Sequence, residues 1–178
     1  LRGVLECTYR RDETPFMPGF VTASMDGRAW GKEMWTRDTG TLLRELALWG
    51  WFNHGGLTCD CLTRLVQKNE QGFFTFPEWF SVQPKAGHEL DGTCAIVIGM
   101  ALLWRRLDKA SPFRGLIQEF LFSPASPLNY MHQHLQDHPF LPGEGEFGGG
   151  MPGQGYSVVQ NHLAQYALRL AARLAVAL

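Results

Sequence analysis

Trp35, Arg37 and Asp38 stand together directly before an apolar run with helical spacing. An aromatic face, a guanidinium and a carboxylate in that order can hold a polar ligand, the ring stacking and the charged groups hydrogen-bonding. The same residues also suit a helix N-cap with a surface ion pair, Trp35 then being core. Two further groupings of acids follow. Glu89 and Asp91 flank Leu90, where Asp91 either binds a ligand or caps its own helix and Glu89 is equally two-sided. Glu144 and Glu146 flank Gly145 in a glycine-rich stretch, as a carboxyl able to move a proton or as solvated charges in a loop.

The elements that must position these groups are helices. Leu42, Leu43, Leu46, Ala47 and Trp49 recur every three or four residues and predict a helix over Thr39 to Phe52. Asp38 or Thr39 is its expected N-cap, and Asn53-His54-Gly55-Gly56 its expected stop. Leu57 to Lys68 reads as a second helix, antiparallel to the first. Further helices are expected over Glu89 to Leu107, Pro112 to Phe122, Pro127 to Asp137 and Tyr156 to Leu178, the two proline starts each standing behind a serine. Leu1 to Tyr9 reads as the end of a helix whose start lies upstream. Phe73-Phe74-Thr75-Phe76 is a short strand or a packed loop. The chain is therefore expected to be all-α, a single domain over residues 1–178, with long loops at Arg10 to Lys32 and Pro139 to Gly155.

The three polar groupings recur at nearly equal intervals, at Asp38, Asp91 and Glu146, each ahead of a long apolar helix. If those helices lie side by side and point the same way, their N-termini share one face. An α/α toroid, with apolar helices inside and amphipathic ones outside, produces this pattern.

Composition narrows the partners. Net charge is -1 with 19% charged residues, so there is no basic field for nucleic acid or an anionic membrane. Twelve Phe and six Trp suit stacking on the apolar faces of pyranoses as well as a core. Cys7, Cys59, Cys61 and Cys94 lack the spacing of a zinc knuckle or redox pair and read as free thiols, which favours a reducing, cytoplasmic compartment. The chain opens on Leu1 rather than a methionine, so residues upstream, a secretion signal among them, are left open. Polar residues interrupt the last apolar run, Tyr156 to Leu178, which argues for a buried helix over a membrane span. His132, His134, Asp137 and His138 lack a His-Glu-x-x-His frame and a suitably spaced cysteine, and read as a polar outer helix. No Lys-Ser/Thr follows Gly148-Gly149-Gly150, so no phosphate loop is present. Neither metal nor cofactor is expected.

Trp35-Thr36-Arg37-Asp38-Thr39-Gly40 resembles the Trp-x-Arg-Asp segment of family 15 of the glycoside hydrolases, the glucoamylase family of the six-hairpin (α/α)6-toroid superfamily. Glu89-Leu90-Asp91 resembles its Gln-Leu-Asp segment. Glu146, ten residues before Tyr156-Ser157-Val158-Val159, is placed like the family's catalytic glutamate. Gly145 stands where the family has tryptophan, which leaves Glu144 a competitor.

The resemblance implies an inverting, exo-acting hydrolase of α-glucosidic bonds, acting on oligosaccharides or polysaccharides without metal or cofactor. It makes Glu146 the general acid, protonating the leaving oxygen, with a general base about 6.5 to 9.5 Å away across the sugar. Arg37 and Asp38 would hold the non-reducing-end sugar, with Trp35, Glu89 and Asp91 around it. Six hairpins need roughly twice this length, so the general base is expected outside these residues, and the half toroid to be completed by further chain or by self-association. The alternative is a carbohydrate-binding toroid or fragment without catalysis.

Overall fold

A computed structural model describes residues 34–50, 79–80, 90–124, 126–141 and 157–178. Five helices dominate them. These are α1 (Thr36–Trp49), α2 (Leu90–Arg106), α3 (Pro112–Phe122), α4 (Pro127–Asp137) and α5 (Val158–Val176). Two short strands complete the order, β1 (Met34–Trp35) and β2 (Trp79–Phe80), paired antiparallel with Met34 opposite Phe80 and Trp35 opposite Trp79. The described part is thus all-α in its architecture, with β1 leading straight into α1.

The centre is α2. All its residues except Ala95, Leu102, Arg105 and Arg106 are buried, so it reads as apolar on every side, where a surface helix would show one stripe. It packs chiefly against α1 and α5, with α3 and α4 also touching it. Ile96, Val97, Met100 and Leu103 of α2 join Leu43 and Ala47 of α1 and Ala164, Ala167, Leu170 and Leu174 of α5 in one core. Arg105 and Arg106 close α2 as exposed cations in its last turn, where they complement the helix dipole.

Glycine brings α1 and α2 together. A Cβ at Gly40 would meet the backbone of Ala95 and Ile96, and one at Gly99 would meet the Gly40 carbonyl and the Leu43 side chain. Gly40 therefore faces Ala95, and Leu43 faces Gly99. Residue numbers rise together along both helices, so α1 and α2 run parallel and their N-termini lie at the same end.

The helix ends follow local chemistry. Ser126 and Ser157 cap α4 and α5, their hydroxyls accepting from the backbone N–H of Asn129 at 3.1 Å and Gln160 at 3.3 Å. Pro112 and Pro127 begin α3 and α4 with the fixed φ that a first turn needs. The expected start of α1 is corrected: the helix begins at Thr36, so Asp38 and Thr39 lie in its first turn rather than at its N-cap. Its expected end is corrected as well, because Gly50, at φ 72, stops the helix after Trp49. Trp49 is not core: it is 66% exposed, and its Nε1 donates to Glu45 Oε2 at 3.1 Å. Similarly, the last helix runs Val158–Val176 rather than Tyr156 to Leu178. The expected helices over Leu1 to Tyr9 and Leu57 to Lys68, the loop over Arg10 to Lys32 and the run Phe73 to Phe76 lie outside the described residues.

At the α2 to α3 corner, the Arg114 guanidinium lies 3.6 Å from the centroid of the Trp104 ring. The same side chain donates to the Leu107 carbonyl at 3.4 Å, which fixes the short connection over 107–111.

Candidate sugar-binding site

The parallel packing of α1 and α2 carries the Arg-Asp segment and the Leu-Asp segment to one place. Arg37 Nη1 lies 3.5 Å from Asp91 Oδ2, the first residue in the first turn of α1 and the second in the first turn of α2. Asp91 is 1% exposed, whereas the Arg37 side chain is 34% exposed. One charge is therefore sunk into the helix junction and its partner reaches from it toward solvent.

Asp91 is held from both sides. Its Oδ1 accepts from the backbone N–H of Gly92 at 2.8 Å. Its Oδ2 has the Arg37 charge beside it and accepts no hydrogen bond among the described residues. Taking a carboxylate out of water costs several kcal/mol, which a facing cation and the positive end of its own helix offset. Capping, one of the two roles open to Asp91 in the sequence, is replaced by a cross-helix ion pair: Asp91 lies inside the first turn of α2, not ahead of it.

Asp38 is exposed beside Arg37, in the first turn of α1. Thr39 is buried, and its hydroxyl also lacks a hydrogen-bond partner among the described residues. Thr39, an N-cap candidate by sequence, lies instead within the first turn of α1. Trp35 enters through its backbone, as the β1 residue opposite Trp79 that precedes α1. The parallel arrangement thus brings Arg37, Asp38 and Asp91 to one end of the core, as the recurrence of the groupings anticipates. Glu89, Glu144 and Glu146 lie outside the described residues.

Cys94 lies one turn along α2 from Asp91 and is a buried free thiol. Burial pushes its pKa up, and the neighbouring Asp91 carboxylate adds to the shift. The thiol is therefore protonated and inert, not a nucleophile.

A cleft of about 620 Å³ lies between the end of α4 and the start of α5, lined by Leu135, Phe140, Leu141, Val158, His162 and Leu168 among others. Asn161 anchors its wall. Its Oδ1 accepts from the Leu141 N–H at 2.8 Å, and its Nδ2 donates to the carbonyls of Leu141 at 2.9 Å and Ser157 at 3.0 Å. One side chain therefore ties together the two backbone segments that flank 142–156.

His132 and His134 lie along α4 and His138 at its end. His132 accepts at Nε2 from Gln136 Nε2, 3.1 Å away along the helix, and His138 is the exposed residue that ends it. Among the described residues no three His, Cys, Asp or Glu side chains converge as a metal-binding group. No described helix is long and apolar enough to cross a membrane. No family model, curated protein or solved structure matches the chain.

Proposed function

We propose that the chain is part of an (α/α)6-toroid glycoside hydrolase, resembling family 15, that removes glucose from the non-reducing ends of α-glucosides with inversion. The observation that carries the proposal is the ion pair between Arg37 and Asp91 at the shared N-terminal end of two parallel, tightly packed helices. Toroids of this kind place substrate groups at one end of their inner helices. A helix wrapped by apolar neighbours, as α2 is, suits an inner position.

In this reading the Arg37 guanidinium donates to the hydroxyls of the terminal sugar, Asp38 accepts from them, and Asp91 holds the guanidinium in place. Charged partners for hydroxyls discriminate strongly, because a substrate lacking the hydroxyl leaves the charge unpaired. Glu146 serves as general acid, with Glu144 its competitor, and Trp35 and Glu89 belong to the substrate-binding set. Protonation of the leaving oxygen by Glu146 and attack by a base-activated water on the opposite face give the inverted sugar. The base comes from outside the 178 residues, as do the remaining hairpins, or a second copy completes the ring. Exposed Val158, Val159, Tyr166 and Val176 along α5 support such a neighbour.

The test is Glu146→Gln against Glu144→Gln in the natural protein. Loss of several orders of magnitude in kcat for Glu146→Gln alone is expected. Near-normal turnover by Glu146→Gln would overturn the assignment.

A further inference from the structure

We infer that the partner of this chain is a second copy of itself, whose α1 docks on the exposed face of α5. The inference rests on the half-ring reading above and chooses between the two routes to a complete ring that it leaves open.

Helix α5 has two seams. Ala164, Ala167, Ala171 and Leu174, three or four residues apart, are buried in the core. Val159, His162, Tyr166, Arg169, Arg173 and Val176 alternate at the same three and four on another face, and all six are exposed. That alternation keeps a stripe turned toward a neighbouring helix over several turns. A face made only for water would hold few apolar residues, yet Val176 is 90% exposed, Val159 57% and Tyr166 49%. Arg169 and Arg173 are the only formal charges on α5, which holds no acid from Val158 to Val176.

Helix α1 carries the complement. Asp38, Thr41, Glu45 and Leu48 follow one another at three, four and three residues, turned away from buried Leu43, Leu46 and Ala47. Asp38, Thr41 and Leu48 are exposed, and the Glu45 side chain is 40% exposed. Glu45 accepts from Arg44 Nη2 at 2.8 Å and from the Trp49 indole, and Arg44 first and Trp49 second hold its pKa down, so it is a carboxylate. Arg44 stands beside this seam and not on it.

Between the two lies α2: α1 and α5 each pack on it and not side by side with each other. Their outward seams are therefore two separate edges, one acidic and one basic, each with exposed apolar residues. Pairing α5 with α5 would set arginine against arginine, so charge selects the contact of α1 with α5. A contact between unlike faces repeats, and it closes when two copies are related by a half-turn. Two copies of α1, α2 and α5 then supply the six inner helices of a toroid.

The experiment is sedimentation velocity of the natural protein at micromolar concentration and low salt, with charge swaps across the seam. Wild type is expected as a closed dimer. Arg169→Glu with Arg173→Glu should weaken it by about tenfold or more, Glu45→Lys should weaken it as well, and the three substitutions together should restore it. Circular dichroism checks that each variant folds. Restoration by the combined variant is a result that simple damage to either helix would not give. Monomeric wild type overturns the inference whether or not the variants fold, as does an open series of larger assemblies or a dimer indifferent to the swaps. A monomer that hydrolyses maltotriose overturns this inference and leaves the glycoside reading standing, whereas a charge-dependent dimer without turnover does the reverse.

Discussion

Gly99 of α2 sits so close to Gly40 of α1 that a Cβ on Gly99 would fall 2.5 Å from the Gly40 carbonyl oxygen. This contact sets the register of two parallel helices, and the register delivers Arg37 to Asp91 one to two turns away. The crossing and the ion pair are thus one arrangement seen at two depths.

Gly40→Ala and Gly99→Ala are each expected to destabilise the fold by about 1–3 kcal/mol, because the intruding methyl meets backbone, which has no rotamer to escape into. Gly115 gives the opposite sign. It lies within α3 with nothing near its would-be Cβ, so Gly115→Ala should stabilise by roughly 0.5–1 kcal/mol. Urea unfolding of the three variants decides the matter, and equal effects of one sign would contradict the packing.

Removing Arg37 exposes the cost of burying Asp91. Arg37→Met keeps the aliphatic stem but leaves the carboxylate without its cation, and should cost about 2 kcal/mol, reduced from the fully buried case because the guanidinium is one-third exposed. The double variant Arg37→Met with Asp91→Asn should recover part of that loss. A double-mutant cycle with no coupling would mean that the pair contributes nothing to stability.

Cys94 predicts a pH effect with a definite sign. The unfolded thiol ionises near its ordinary value of 9.0, while burial first and the Asp91 carboxylate second keep the folded thiol protonated well above it. Above that pH the unfolded state binds fewer protons, so stability falls as pH rises, by up to about 1.4 kcal/mol per pH unit, and the contribution is intact below it. Cys94→Ala should flatten this alkaline slope relative to wild type. The same slope in both proteins would contradict the burial of the thiol.

Asn161→Ala removes three hydrogen bonds at once and strands the N–H and carbonyl of buried Leu141, at an expected cost of about 1–3 kcal/mol. Asn161→Asp keeps an acceptor for the Leu141 N–H but no donor for the two carbonyls. It should fall between wild type and Ala in thermal unfolding. An Ala variant as stable as wild type would sink the anchoring role.

Much of this architecture was legible in the residues. Pro112 behind Ser111 and Pro127 behind Ser126 marked two helix starts, because proline fixes the first-turn φ. The long apolar run of α2 marked an inner helix, and most of its residues are buried. The equal spacing of the polar groupings anticipated that α1 and α2 share an end. Less legible were the ends of α1. Asp38 and Thr39 have the chemistry of caps but sit inside the first turn, and Gly50 stops the helix before the more conspicuous Gly55-Gly56. Trp49 fits the apolar stripe by spacing, yet its indole bonds outward to Glu45. That Asp91 would pair with Arg37 was beyond local pattern, since the two are joined only through the glycine crossing of helices far apart in sequence.

Proton NMR of maltotriose incubated with the natural protein tests sugar chemistry at this site most directly. β-Glucose as the first anomer released, abolished by Glu146→Gln and weakened by Arg37→Ala, is the expected result. The α anomer appearing first would contradict inversion, and maltotriose left intact with no binding-induced change in its signals would contradict the sugar site itself.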